Sequence, residues 1–185
     1  MGAFSDLLRF LKLKPPKHNY KGDYWQRRKQ LHYYQVVRAW IEALSPGDWI
    51  LDVGSRSTPI VKTGQFKRRT MIDIAPFNRK FAGVEQVVAD WMAYPVGEKA
   101  ADVVLCLQVL EHLPDDLVGP FARKLLHAGK KTIISVPHRW PEDLTPHHLQ
   151  DPVDLDKLIT WTGKPPVKHH IERRDNMERL VALFD

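Results

Sequence analysis

Five short apolar runs, each separated from the next by a longer connection, constrain the fold of this chain more than any other feature. The runs occupy residues 49–53, 70–74, 84–89, 102–107 and 132–136. Runs that are apolar on both faces and are joined by connections of crossover length are typical of a parallel sheet covered by helices. The sequence therefore predicts an α/β fold built on parallel strands.

Other patterns predict the helices and the end of the sheet. Apolar residues at spacings of three and four predict amphipathic helices over residues 24–44 and 114–127. A further helix is predicted at 154–161, where an aspartate is available as the cap. Two strand-like segments around a polar DNM turn predict an antiparallel hairpin. The expected architecture is a Rossmann-like, seven-stranded, mostly parallel sheet with a C-terminal antiparallel hairpin and helices on both faces.

Length and composition indicate one globular domain in a reducing compartment. The chain has 185 residues, of which 43% are hydrophobic and 27% are charged, which argues against disorder. Its single cysteine, Cys106, excludes an intramolecular disulfide. No run of eighteen apolar residues occurs, and the N-terminal apolar residues are too interrupted for a secretory signal. We therefore expect a soluble, cytoplasmic protein.

The net charge of +6 is confined to the N-terminal part of the chain. Residues 1–40 contain nine basic and two acidic side chains, against nineteen and twenty in the rest. Such an arm does not resemble a groove that follows a nucleic-acid backbone, so we do not expect nucleic acid as a partner. Residues 4–14 are amphipathic and are expected to dock on their own domain or, alternatively, to contact a membrane surface. We assign residues 1–45 to a helical extension and 46–185 to the main domain.

An acidic residue stands at the end of each of the first three apolar runs: Asp52 and Asp73 within the last residues of the first two, and Asp90 directly after the third. In open α/β sheets, ligands bind beyond the carboxyl ends of the strands, where the strand order reverses. Asp73 lies about twenty residues beyond Gly54, a spacing at which an acid can accept hydrogen bonds from a ribose diol. Asp90 suits an exocyclic amino group, and Trp91 offers a ring face to a base or closes a pocket. Together with Asp52, these residues indicate a nucleoside site.

With these motifs the chain resembles the class I S-adenosylmethionine-dependent methyltransferases from about residue 48 to the end. The matching stretches are WILDVGSRSTP, TMIDIAP, VVADWMAYP, ADVVLCLQVLEHLPDD and KKTIISVPHRWP. The predicted terminal hairpin also matches the last two strands of that family. The resemblance implies S-adenosylmethionine as the cofactor and a methylated acceptor as the product.

The resemblance also implies a set of cofactor-binding residues. Asp52 and Gly54 would line the methionine end, Asp73 would hold the ribose hydroxyls, and Asp90 with the backbone at Trp91 would recognise adenine. The backbone around Leu107 and Gln108 would meet the methionine amino group. Ser55, next to Gly54, and Ile74, next to Asp73, complete the predicted set.

The loop after the first run departs from the family pattern. Arg56 and Thr58 stand where the family usually has glycines, so their side chains must turn outward or narrow the pocket. Because S-adenosylmethionine carries no phosphate, the loss of these glycines favours methyl transfer over hydride transfer. Arg56 is either a solvent-facing residue or a ligand for a carboxylate or phosphate on the acceptor.

Three residues near the ends of the fourth and fifth runs are candidates for catalysis. His112 and His138 follow parallel strands on the expected ligand side and can act as bases near neutral pH, with Glu111 beside them. The alternative for each histidine is a packing or capping role. His147, His148 and Asp151 lie close together in a loop, but the two histidines are adjacent and no second cluster is evident. We expect a substrate-facing lid there and no metal.

The sequence therefore predicts a methyltransferase for a small-molecule, glycan or lipid-linked acceptor. The short insertions leave little protein for recognising a macromolecule. Two alternatives stay open. One is an RNA or protein methyltransferase that docks through the basic arm. The other is a non-catalytic Rossmann-like binding module, which the altered glycine loop supports. The oligomeric state is not predicted.

Overall fold

The structure is a computed structural model that describes residues 25, 29–55, 58–77, 79–142, 144–174 and 177–185. Its strands are β1 (Gly47–Val53), β2 (Phe66–Asp73), β3 (Glu85–Val88), β4 (Ala101–Leu107), β5 (Gly129–His138), β6 (Lys168–Arg174) and β7 (Met177–Phe184). Its α-helices within these ranges are α1 (His32–Leu44), α2 (Asp115–Ala128) and α3 (Leu155–Thr162).

The seven strands form one mixed sheet in the order β3-β2-β1-β4-β5-β7-β6. The first five strands of this order pair in parallel, whereas β7 is antiparallel to both β5 and β6. The five predicted runs and the predicted hairpin are therefore confirmed. The strand order reverses between β1 and β4: β2 and β3 are added on one side of β1, and β4 and β5 on the other. Such a switch point is where α/β sheets bind ligands.

Helices cover both faces of the sheet, as predicted. Because successive side chains of a strand point to opposite faces, Ile50 and Leu51 belong to different core clusters. Helix α1 packs with Ile50 through Tyr33 and Ile41, while α2 and α3 cover the side of Leu51. No helix in the described ranges is long and apolar enough to cross a bilayer.

The observed helices match the predicted ones in the C-terminal half of the chain and differ from the prediction in the N-terminal half. The predicted helices 114–127 and 154–161 correspond to α2 and α3, and the Asp154 side chain caps α3 by accepting from Lys157 N at 2.9 Å. Within the predicted segment 24–44, helix α1 begins at His32 because the preceding Leu31 is extended. Trp25 is also helical, and residues 24 and 26–28 lie outside the described part of the chain. The amphipathic segment 4–14 lies outside the described residues, and the division at residue 45 stays a prediction.

The connections on the β3 side are more compact than a helical crossover. Among the described residues between β1 and β2, the helical element is the 3₁₀ turn Pro59–Lys62. Loops and turns without an α-helix occupy the described residues between β2 and β3 and between β3 and β4. This half of the sheet is therefore thinly covered, and the loops at its carboxyl edge lie near the surface.

Asp102, near the start of β4, ties together the strands on either side of it. Its Oδ2 accepts hydrogen bonds from the backbone N–H groups of Asp48 at 2.6 Å and Trp49 at 2.9 Å. Its Oδ1 accepts from Lys130 Nζ at 2.8 Å. Partial burial alone would raise the pKa of Asp102, but these bonds outweigh it and hold the pKa below its ordinary value.

We expect Asp102→Ala to lower the free energy of unfolding by about 1–3 kcal/mol, because it leaves charged and backbone donors without their acceptor. Since the folded pKa lies below the unfolded value of about 3.9, this stabilisation is present above that value and is lost as the pH falls through the folded pKa. Urea unfolding at several pH values measures it. Asp48→Ala, which removes only an exposed ion pair with Lys67, should lower the free energy of unfolding by less than about 1 kcal/mol. Equal losses in Asp48→Ala and Asp102→Ala would contradict the role of Asp102 in joining the strands.

Candidate functional site

The carboxyl edge of the sheet brings the predicted cofactor residues together. Asp52 lies in β1, Asp73 ends β2, and Asp90 follows β3. Asp52 pairs in register with Met71 of β2 on one side and with Leu105 of β4 on the other. The acids therefore follow one another along the edge next to the switch point.

Asp52 is the most unusual group of this edge. Its side chain is fully buried, and neither carboxylate oxygen has a hydrogen-bond partner in the described part of the chain. Burial raises the pKa of Asp52 to about 8; the nearby Ser55 hydroxyl opposes this rise, and the charge of Asp73 adds to it. The Ser55 Oγ is also buried without a hydrogen bond of acceptable geometry. Buried polar atoms of this kind are uncommon in structural positions and typical of functional sites.

Asp73 and Asp90 are held by the turns that follow their strands. Asp73 Oδ1 accepts from Ala75 N at 2.8 Å, across Ile74, and Asp90 Oδ1 accepts from Met92 N at 2.9 Å. Hydrogen bonds from a side chain to the backbone two residues on are a standard way for aspartate to fix a turn. Each carboxylate is thus positioned at the end of its strand.

The Trp91 side chain belongs to the hydrophobic core. Its ring is 3% exposed and lies 6.2 Å from the ring of Tyr94 and 6.3 Å from that of Phe121, between centroids. The two predicted roles of this ring, contact with a base and closure of a pocket, stay predictions. The predicted adenine contact through the backbone at Trp91 stays a prediction.

Two turns with left-handed backbone meet at the switch point. Gly54 has φ +84°, and a Cβ there would lie 2.6 Å from Val109 Cγ2, so glycine is required. Gln108 has φ +59°, and its N donates to Ser135 O at 2.8 Å. The loop after β1 is thus packed directly against the loop after β4, with Leu107 at the end of that strand.

The loop after β1, in which Thr58 stands where the family usually has a glycine, closes on itself at that residue. This residue is buried, and both its N–H and its hydroxyl donate to Ser55 O, at 2.9 and 3.1 Å. The sequence left two alternatives for this side chain, turning outward or narrowing the pocket. The Thr58 side chain does not turn outward but points into its own loop. Arg56 lies outside the described residues, and its predicted roles stay open.

His138 forms a carboxylate–histidine pair at the end of β5. Its Nδ1–H donates to Glu178 Oε2 at 2.7 Å, in a register where His138 and Glu178 are direct partners. This bond, and a second one from Arg173, lower the pKa of Glu178. Trp140 Nε1 donates to the backbone oxygen of Glu178 at 2.7 Å. Sequence reasoning identified His138 but missed Glu178, because the register of β7 against β5 gives no local signal.

A cleft of about 410 Å³ borders this pair. Its lining combines aromatic, charged and apolar side chains, among them His138, Arg139, Trp140, Arg173, Met177 and Glu178. The volume falls in the range of small-molecule sites, roughly 300–1,000 Å³.

Glu111 and His112 lie in a 3₁₀ turn after β4 and face a different partner, His148. The loop that carries His148 is fastened to this turn, because Leu149 N and Gln150 N both donate to Glu111 O, at 2.8 and 3.3 Å. Burial raises the pKa of Glu111 to about 8 and lowers the pKa of His112. The three predicted catalytic residues are therefore divided between two clusters, one at His138 and one at Glu111 and His112.

Comparisons with known proteins bear on the fold. Neither a protein-family model nor a curated protein matches this sequence. The 1,6-didemethyltoxoflavin-N1-methyltransferase of Burkholderia thailandensis matches with a TM-score of 0.65 at 16% identity, covering 100% of this chain and 92% of that chain. The N-methyltransferase NodS of Bradyrhizobium japonicum WM9 matches with a TM-score of 0.61 at 15% identity, covering 84% and 97%.

A third solved structure, the magnesium protoporphyrin IX methyltransferase of Synechocystis PCC 6803, has a TM-score of 0.61 at 17% identity and covers 97% of this chain and 92% of that chain. At identities this low, the likeness establishes the fold. The predicted Rossmann-like methyltransferase fold is therefore confirmed.

The buried carboxyl of Asp52 predicts a pH-dependent effect of Asp52→Asn. Because the folded pKa of about 8 lies above the unfolded value of 3.8, wild-type stability falls as the pH rises between these two values. The amide has no charge to bury, so the variant should gain roughly 2–3 kcal/mol over wild type between pH 6 and pH 9, about 1.4 kcal/mol per pH unit up to pH 8.

Thermal and urea unfolding of both proteins at the two pH values measures this gain. Asp116→Asn, which removes an exposed carboxylate at the start of α2, is the matched control and should follow the wild-type profile. A stability difference between Asp52→Asn and wild type that is the same at pH 6 and pH 9 would show that Asp52 is ionised throughout.

Proposed function

We propose that this chain is an S-adenosylmethionine-dependent methyltransferase that acts on a small-molecule, glycan or lipid-linked acceptor. The observation that carries the proposal is the row of strand-end carboxylates at the switch point, where Asp52, beside Gly54, is buried without a hydrogen-bond partner among the described residues. The similar solved structures are described as methyltransferases, and that of Burkholderia thailandensis holds S-adenosylhomocysteine and its acceptor.

The residues at the switch point fit such a cofactor. Asp52 and Ser55 have buried polar atoms without partners in the described residues, as expected where a ligand with hydrogen-bond donors binds. Asp73 would hold the ribose hydroxyls and Asp90 the adenine amino group, while the backbone at Gln108 would contact the methionine moiety. When bound, S-adenosylmethionine supplies a methyl group activated by a sulfonium.

His138 is the favoured base for the acceptor. Its Nδ1 proton is committed to Glu178, which leaves Nε2 as the atom that can take a proton. The carboxylate of Glu178 would stabilise the imidazolium that forms, as in other carboxylate–histidine pairs. Because His138 lines the 410 Å³ cleft, we assign the acceptor to this cleft. Its volume supports a small acceptor or the small reacting end of a glycan or lipid.

Titration of the full-length protein with S-adenosylmethionine tests the cofactor site. We expect micromolar affinity in wild type, a loss of at least about tenfold in Asp73→Ala and Asp90→Ala, and unchanged affinity in Asp116→Ala, whose carboxylate is exposed on α2. The loss follows from removing charged acceptors, each contributing about 1.5–3 kcal/mol. No detectable binding to wild type would overturn the proposal.

Turnover with a labelled methyl donor and a fractionated cell extract tests the reaction. At saturating cofactor, we expect His138→Ala to lower kcat about 100-fold and Glu178→Gln about tenfold, since a positioned base contributes roughly 10²–10⁴-fold. The exposed His127 supplies the control variant His127→Ala, which should retain wild-type kcat.

The distribution of label decides between the acceptor classes. Label in the small-molecule, glycan or lipid fraction supports the proposal, whereas label in RNA or protein contradicts the assigned acceptor. Cofactor binding without any turnover would instead identify a binding module.

A further inference from the structure

Three side chains of the types that bind metal ions form a cluster beside the cleft that His138 lines. Glu111 and His112 come from the 3₁₀ turn after β4, and His148 comes from the loop before α3. One ligand atom from each of the three residues lies within 4.8 Å of the other two. In a tetrahedral site with bonds of about 2.1 Å, ligand atoms are about 3.4 Å apart, so a closure of roughly 1–1.5 Å brings these atoms to coordination distance.

The hydrogen bonds of the two histidines occupy the same ring nitrogen, Nδ1, and leave Nε2 available as a ligand atom. His112 Nδ1–H donates to the backbone oxygen of His147 at 3.0 Å, and His148 Nδ1–H donates to Asp151 Oδ2 at 2.6 Å. Neither Nε2 makes a hydrogen bond to any described residue. Metal-binding histidines characteristically donate their second ring N–H to a carbonyl or carboxylate, which fixes the tautomer that leaves a lone pair for the ion.

Glu111 supplies an independent sign of a ligand. Its side chain is 1% exposed, and its Oε2 is buried without a hydrogen-bond partner among the described residues. Arg179, whose charge lowers the pKa of Glu111 against the rise caused by burial, has its guanidinium over the rings of Trp140 and Tyr33, at 5.2 and 5.0 Å from their centroids. A buried carboxylate oxygen without a donor is costly unless a cation or proton compensates it.

We propose that Glu111, His112 and His148 form a binding site for one divalent transition-metal ion. Two imidazole nitrogens and one carboxylate oxygen favour zinc, iron, cobalt or manganese over magnesium and calcium, which prefer all-oxygen sites. Three protein ligands leave at least one coordination position for water or for an oxygen atom of a bound molecule, as in catalytic rather than structural metal sites. Asp151 acts as a positioning residue through His148.

The site lies next to the acceptor cleft. The His148 ring stacks on Trp140, with centroids 5.7 Å apart and planes 20° from parallel, and Trp140 lines the cleft. An ion held by His148 is therefore placed to interact with an oxygen-bearing acceptor. The metal site itself does not depend on the proposed methyl transfer.

Calorimetric titration of the EDTA-treated, full-length protein with Zn²⁺ tests the proposal. We expect one equivalent bound with micromolar or tighter Kd in wild type and in the control His127→Ala. His112→Ala and His148→Ala should weaken binding at least about 100-fold, and Asp151→Asn about 10–100-fold, the usual effect of removing the partner of a metal-bound histidine. Glu111→Gln, which keeps the shape and removes the charge, should weaken it at least about tenfold.

Two further measurements complete the test. Co²⁺ in place of Zn²⁺ should give visible d–d absorption in wild type that is lost in His148→Ala. Unfolding temperatures measured in EDTA identify any variant that fails to fold. If His112→Ala or His148→Ala does not fold, the zinc affinities of Glu111→Gln and Asp151→Asn decide whether the site exists. Absence of zinc binding in wild type, or equal affinity in wild type and the folded ligand variants, would overturn the site. Cofactor titration in EDTA reports on the methyltransferase proposal separately.

Discussion

The reversal of strand order between the parallel neighbours β1 and β4 is the constraint on which the rest of the molecule depends. It brings the loop after β1 against the loop after β4, closely enough that a Cβ on Gly54 would overlap Val109. Every parallel strand that adjoins this point delivers its carboxyl end to the same edge of the sheet. The backbone of both loops and the acids at the strand ends are therefore collected at the edge of the sheet where α/β folds bind ligands.

Two buried acids near this edge, Asp52 and Glu111, lower the free energy of unfolding. Burial raises the pKa of both Asp52 and Glu111 to about 8, so at neutral pH each is uncharged in the folded protein and charged in the unfolded chain. Both acids therefore reduce the free energy of unfolding as the pH rises from about 4 toward 8. Buried acids that lower stability at the carboxyl edge of the sheet are better explained by a ligand than by packing, because an apolar side chain of similar size would be more stable there.

The sequence predicted the scaffold more completely than the site. Apolar runs and the acids at their ends are local features, so the strands, α2, α3 and the positions of Asp52, Asp73 and Asp90 could be predicted. Glu178 could not, because its contact with His138 depends on the register of β7 against β5. The proximity of His148 to Glu111 and His112 could not be predicted for a related reason: His148 lies in a loop, and its place beside the turn after β4 depends on the fold.

Trp140 connects the two clusters that flank the cleft. Its Nε1 donates to the backbone of Glu178, the partner of His138, while its ring stacks on His148. The guanidinium of Arg179 lies 5.2 Å from the ring centroid and restrains the indole further. Because one rigid ring contacts both clusters, a shift of His148 toward Glu111 also acts on the indole that lines the cleft. The position of the histidine loop and the shape of the cleft are therefore coupled through direct contacts, without any change in the sheet.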